Sequence, residues 1–121
     1  MKYLLLIYHG STPTPPSEAW DALSDAERGA IAAAYKEVSA TPGVSPGQHM
    51  QGPDMATTVR VNDGRPLTTD GPFPELKEAI GGYLVYEADD LDAAIELAAR
   101  IPAARLGGAI EVRPVVEWSG G

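Results

Sequence analysis

Apolar side chains fill both alternating faces of Lys2-Tyr3-Leu4-Leu5-Leu6-Ile7-Tyr8 at the start of the chain. A strand that is hydrophobic on both faces reads as a central strand with cover on both sides. Gly10 to Ser17, with Pro13, Pro15 and Pro16, reads as an extended loop, and Glu18 to Leu23 as a short helical turn carrying Trp20. Ser24-Asp25-Ala26-Glu27 has the spacing of a capping box, in which the serine hydroxyl and the Glu27 carboxylate satisfy amides at a helix start. The helix is expected to run to about Ser39, with Ala30, Ile31, Ala34, Tyr35 and Val38 as its apolar stripe, and Thr41-Pro42-Gly43 ends it.

Beyond it, Val44 to Pro53 is a loop or a short strand, because Pro46, Gly47 and Gly52 flank Gln48-His49-Met50-Gln51. Ala56 to Val61 is rich in β-branched residues and is joined through Asn62-Asp63-Gly64-Arg65 to Pro66-Leu67-Thr68-Thr69. An Asp-Gly pair between β-prone arms predicts a hairpin. Gly82 to Glu87 reads as a further strand. Asp89 is the expected cap of a helix with Leu91, Ala94, Ile95 and Ala98 at helical spacing, its dipole matched by Asp89, Asp90 and Asp92 at the start and Arg100 near the end. Pro102 and Gly107-Gly108 mark its exit. A last strand alternates through Ile110, Val112, Pro114, Val116 and Trp118, and Pro114 confines it to an edge or a bulge.

Strand, helix, strand hairpin, strand, helix, strand matches the split βαβ plan of an α+β, ferredoxin-like βαββαβ domain with an added hairpin. Both helices then lie on one face of the antiparallel sheet. The doubly apolar first strand would expose several hundred Å² of hydrophobic surface on the other face, roughly more than monomers tolerate. A two-fold homodimer formed sheet against sheet is therefore expected, with clefts at its rims.

The 121 residues suit a single domain, 1–121. Nine Lys and Arg against 17 Asp and Glu give a net charge of −8 and no basic cluster, which argues against a nucleic-acid partner. The apolar run Tyr3 to Tyr8 is too short for a membrane span, so no membrane association is expected. Lack of cysteine removes disulfides, thiolate nucleophiles and cysteine-based zinc sites and suits the cytoplasm.

Candidate chemistry centres on Asp70-Gly71-Pro72-Phe73-Pro74-Glu75-Leu76-Lys77-Glu78. Pro72 and Pro74 stiffen this turn, and two readings of it stay open. Either the Asp70 and Glu75 carboxylates converge, raising one pKa and separating an acid from a base, or Asp70 caps a turn while Glu75 and Lys77 form surface pairs. His9, at the carboxyl end of the first strand, is a candidate general base or a hydrogen-bonded structural residue. His49 is the other histidine. Arg60 and Arg113 stand in β-prone runs, where burial would demand an acidic partner or an anionic ligand, and a buried Arg–Glu pair is the expected outcome. Tyr8, Tyr83 and Tyr86 either line a pocket or pack in the core. No metal site is expected, because the histidines are 40 residues apart with no chelating spacing. Phosphate loops and a G-x-S-x-G elbow are missing, and no cofactor is expected.

Thr58-Val59-Arg60, the Asp-Gly hairpin, Thr69-Asp70-Gly71-Pro72-Phe73, Lys77-Glu78, Gly81-Gly82-Tyr83, Asp89-Asp90-Leu91-Asp92 with Ala94, and Glu111-Val112-Arg113-Pro114 together resemble the YCII-related family, in particular its DGPF-domain branch. The resemblance runs from Lys2 to Pro114. It implies a dimeric α+β barrel of ferredoxin-like fold with a cleft, in a family some of whose relatives are associated with lyase or dehalogenation chemistry and whose DGPF members are often linked to extracytoplasmic-function sigma factors. Leu76 departs from the branch, which more often has a small hydroxyl residue there, and Gln48-His49 replaces a Gly-Glu-like turn.

Two functions are consistent with this reading. One is a small-molecule-binding protein doing cofactor-free acid–base chemistry of lyase or isomerase type on a small polar or anionic substrate. Its catalytic candidates are Asp70, Glu75 and His9, and its binding candidates are Phe73, Lys77, Arg60, Tyr8, Tyr83 and His49. The other is a non-catalytic ligand-sensing or protein-interaction module associated with transcriptional regulation, with the acidic loop as its docking surface.

Overall fold

The doubly apolar run becomes β1 (Lys2–Tyr8), the second-from-edge strand of a four-stranded antiparallel sheet, in a computed structural model that describes residues 1–50, 55–70 and 80–116, with the side chains of 46, 69 and 70 also outside the description. A short helix α1 (Glu18–Asp21) starts where the Ser17 hydroxyl accepts from the Trp20 amide. Helix α2 (Asp25–Ala40) carries the expected capping box: the Glu27 amide donates to the Ser24 hydroxyl at 3.0 Å, and the Ser24 amide donates to the Glu27 carboxylate at 2.9 Å. Strand β2 (Val44–His49) is followed by the hairpin β3 (Thr57–Asn62) and β4 (Arg65–Asp70), then β5 (Ile80–Glu87), helix α3 (Leu91–Ala99) and β6 (Ala109–Pro114).

The sheet order is β2-β5-β1-β6, every neighbouring pair antiparallel. With the hairpin set aside, this is the strand order of a ferredoxin-like α+β fold, and β3–β4 is an insertion between its second and third strands. The hairpin turn places Asp63 at φ 52° and Gly64 at φ 75°, the doubly left-handed geometry that Asp-Gly accommodates at lowest cost. Pro114 closes β6 on an edge of the sheet, as a strand proline requires.

One sheet face makes the core. Tyr3, Leu5 and Ile7 of β1 and Leu84 of β5 meet Val38 of α2, Ala94, Leu97 and Ala98 of α3, and Ile101 beyond it. Leu5, Leu97 and Ile101 are fully buried, and burial of such a side chain stabilises by about 1.5–3 kcal/mol. The opposite face carries Leu4, Leu6, Tyr8, Tyr83 and Val85, the register that a period of two demands once Leu5 points inward. Among the described residues no helix packs on that face: Leu4, Leu6, Tyr8 and Val85 are half-buried and Tyr83 is exposed.

Of the two alternatives open for residues 44–53, the short strand is the one formed: Val44–His49 is the edge strand β2, because β5 offers it a hydrogen-bonding partner along Val44, Ser45 and Pro46 and again at His49. Other local expectations are corrected. The cap of α3 is Asp90 rather than Asp89: Asp90 is extended, and its carboxylate accepts from the Ala93 amide at 2.9 Å. With the helix starting at Leu91, its buried side is Ala94, Leu97 and Ala98, so Leu91 and Ile95 face solvent. On α2 only Val38 of the stripe is fully buried, with Ile31, Ala34 and Tyr35 partly so and Ala30 exposed.

Candidate functional site

Two irregularities of register bring the chain's two histidines together. Ile7 pairs with Gly82 and Tyr8 with Ile80, which leaves Gly81 as an extra residue in β5. Pro46 pairs with Leu84 and His49 with Gly82, which leaves an extra residue in β2. Bulges of this kind re-aim side chains at the end of a ladder. Here β1 runs out into His9 on one side of β5 while β2 ends at His49 on the other. The two imidazole centroids stand 5.3 Å apart with the ring planes 30° from parallel.

Gly81 is the seat of this arrangement. A methyl group at Gly81 would overlap Cδ2 and Nε2 of the His9 ring, so the imidazole lies directly on the bare backbone of β5. The backbone of His9 is held from the other side, its carbonyl accepting from the Thr12 amide at 2.8 Å. At the β2 end, the Met50 amide donates to the Gly81 carbonyl at 2.8 Å. The strand residues that bracket the pair are therefore tied to the ladder.

Both ring nitrogens of His9 are buried without a hydrogen-bond partner. Burial, and secondarily the neighbouring His49, holds the His9 pKa below its ordinary value of 6.5. At neutral pH the ring is thus uncharged, with one lone pair able to take a proton and one N–H able to donate. Among the described residues no group of three or more His, Asp or Glu is placed to hold a metal ion.

The other residues named from sequence separate. Tyr8 and Tyr83 lie on the bare sheet face, half-buried and exposed respectively, because Tyr83 pairs with Leu6 two residues before Tyr8. That face is opposite the one on which Ile7, and with it the alternation toward His9, points. Tyr86 packs against the core. Arg60 is exposed on β3, so the buried position expected for it is corrected: the hairpin stands outside the main sheet. Arg113 does pair with a glutamate, Glu111, but on the surface of an edge strand rather than in the interior. Asp70 ends β4 opposite Thr57, and its side chain, like Phe73, Glu75 and Lys77, lies outside the described residues. What the sequence reading missed was the pairing of His9 with His49 and the role of Gly81. The available signal was a Gly-Gly pair inside a strand, which marks close approach of another group.

No helix among the described residues is long and apolar enough to cross a membrane. Comparison with known proteins gives a 34% identity over 67 residues to an uncharacterized protein, R00369, of Rhizobium meliloti (strain 1021). That match spans 54% of this chain and 54% of its relative, so the chain aligns with about half of that protein's length. A match to the YCII-related domain covers residues 1–119, which take in all of the ferredoxin-like sheet, its helices and the inserted hairpin, and the chain belongs to the YCII-related domain family.

Proposed function

We propose that the chain binds a small polar or anionic molecule where His9 and His49 meet, and that His9 acts there as a general base in cofactor-free elimination or isomerisation. One observation carries this reading: an imidazole seated on Gly81, with both nitrogens buried and without a hydrogen-bond partner. Leaving a buried polar group unpaired costs about 1–3 kcal/mol, a cost offset when a ligand supplies the missing partners. A carboxylic or carbonyl compound fits, since it offers an acceptor to the N–H and an acidic carbon-bound hydrogen to the lone pair. In an elimination His9 takes that proton, the C–H electron pair becomes the new double bond, and the leaving group departs with its own pair. In an isomerisation the imidazolium returns the proton to a different carbon.

By sequence, Asp70 and Glu75 are the proposed further acid–base groups, and Phe73, Lys77 and His49 the proposed binding groups, in a DGPF-type loop. The bare face bearing Leu4, Leu6, Tyr8, Tyr83 and Val85 is proposed to close against a second copy, and the cytoplasm is the proposed compartment. At about 25 cal/mol per Å², covering several hundred Å² favours association by several kcal/mol before its entropic cost.

The test is exchange of carbon-bound hydrogen for deuterium, followed by NMR across a panel of small halo-, hydroxy- and oxo-carboxylates. A panel member is expected to perturb the His9 resonances and to exchange or eliminate. His9→Gln is expected to slow that reaction roughly 10²–10⁴-fold while the melting temperature stays near that of the wild type. Exchange that survives in His9→Gln, or a panel that leaves the His9 resonances unmoved, overturns the proposal.

A further inference from the structure

His9 and Thr12 bracket a tight turn. The Thr12 amide donates to the His9 carbonyl at 2.8 Å across Gly10 and Ser11, and Gly10 has φ 56° while Ser11 is not among the residues of positive φ. A left-handed glycine at the first central position alone is the pattern of a type II′ turn, one of the two-residue hairpin turns. Residues that flank such a turn stand directly opposite each other, with Cβ atoms about 4.5–5.5 Å apart on one face.

Thr12 is 7% exposed, and its Oγ1 has no hydrogen-bond partner. A threonine hydroxyl ordinarily escapes that state by bonding a nearby backbone group. Here it stands across the turn from the ring whose two nitrogens are equally buried and unpaired, so three of the five such side-chain atoms among the described residues fall on one turn. The turn is also firmly seated. The Ser11 amide donates to the Gly107 carbonyl at 3.2 Å, and the Gly108 amide donates to the carbonyl of fully buried Ala103 at 2.8 Å. A Cβ at Gly108 would overlap the carbonyl oxygens of Tyr8 and His9, so the end of β1 rests on bare backbone there. A donor fixed in this way, away from water, stabilises charge that develops on a substrate oxygen without having to reorganise during the reaction.

We infer that Thr12 is a second catalytic group of the His9 site, its hydroxyl donating to the carbonyl oxygen of an enolisable oxo-carboxylate. The inference rests on His9 as the base and adds to that reading the substrate class. The His9 lone pair takes a proton from the carbon beside the ketone, the C–H electron pair becomes a carbon–carbon double bond, and the carbonyl π pair moves onto oxygen. The Thr12 O–H holds that enolate oxygen by a hydrogen bond and keeps its own proton. A halo- or hydroxy-carboxylate without a ketone has a far less acidic carbon-bound hydrogen and offers the hydroxyl no such oxygen.

Thr12→Val keeps the shape of the side chain and removes its hydroxyl, whereas Thr12→Ser keeps the hydroxyl. Both are compared with the wild type in deuterium oxide on pyruvate and the other oxo-carboxylates of the panel, beside thermal melts and NMR titration of the His9 ring. Thr12→Val is expected to melt at or above the wild type, because it replaces an unpaired buried hydroxyl, and to leave the His9 midpoint in place. Its exchange rate is expected to fall about 10²–10³-fold, in kcat rather than KM, and Thr12→Ser to restore most of it. A clear drop in the melting temperature of Thr12→Val shows a hydroxyl paired within the fold, a moved His9 midpoint shows one acting through the imidazole, and either overturns the inference. Exchange at the wild-type rate in Thr12→Val, or a wild type that acts on halo- or hydroxy-carboxylates and on no oxo-carboxylate, overturns it while His9 stands as the base. A wild type that acts on no panel member and leaves its His9 resonances unmoved overturns both.

Discussion

Replacing Gly81 with alanine tests whether the backbone of β5 is what holds the His9 imidazole in its unpaired, neutral state. The new methyl group would occupy the space of His9 Cδ2 and Nε2, where carbon atoms normally stay about 3.5–4.0 Å apart, so the ring must swing off the strand. Gly81 is not among the glycines of positive φ, so alanine meets no left-handed backbone penalty. Displacing the ring to an unfavourable rotamer costs about 0.5–1.5 kcal/mol, while the stiffer unfolded chain returns about 0.4–1 kcal/mol. Global stability should therefore stay within about 1 kcal/mol of wild type. The imidazole, by contrast, leaves both causes of its depressed pKa, burial against β5 and the proximity of His49. Its titration midpoint should rise toward 6.5. With only two histidines, both ring resonances can be followed by NMR through a pH series beside urea denaturation of the same variant. A midpoint that stays depressed in Gly81→Ala, with ring-to-ring contacts to His49 intact, would refute the argument that close backbone approach defines the site.

Three further outcomes follow from the same geometry. Because the folded pKa of His9 lies below its unfolded value, the unfolded chain binds more protons in the window below 6.5, so stability falls as pH drops from 6.5 through the folded pKa; that slope should be missing from His9→Gln and remain in the difference between the two curves, and parallel curves would show the group is not depressed. Leu5→Ala, at a fully buried position between both layers, should lose about 2–5 kcal/mol in urea denaturation, and a loss below 1 kcal/mol would mean the core is elsewhere. Asp90→Ala should cost about 0.5–2 kcal/mol as the cap of α3 whereas Asp89→Ala stays near zero, and the reverse ranking by thermal melts would restore the cap expected from sequence.

Legibility in the sequence followed the range of the interaction. The Ser24 box, the Asp63-Gly64 turn and the edge position of Pro114 were readable because each depends on residues within a few positions of one another. The cap of α3 was misplaced because Asp89 and Asp90 are equally good cap residues, and only packing of Ala94, Leu97 and Ala98 against the sheet sets where the first turn begins. β2 was ambiguous because Pro46 and Gly47 weaken any strand signal, and its partner β5 lies more than 30 residues downstream. Arg60 and Arg113 were expected inside because their runs are β-prone, yet a strand buries its residues only where another layer covers them.

By itself, the sequence determined the elements other than β2, their order and hence the ferredoxin-like plan, since hydrophobic period, caps and turn residues are local chemistry. It also named His9 and His49, as the only imidazoles, without relating them. Their approach to 5.3 Å was decided by tertiary structure, through one extra residue in β2 and one in β5 that rotate the strand ends toward each other. A one-residue shift of register changes which face a side chain occupies while leaving composition and periodicity untouched, so pairing between distant strands alone could settle it.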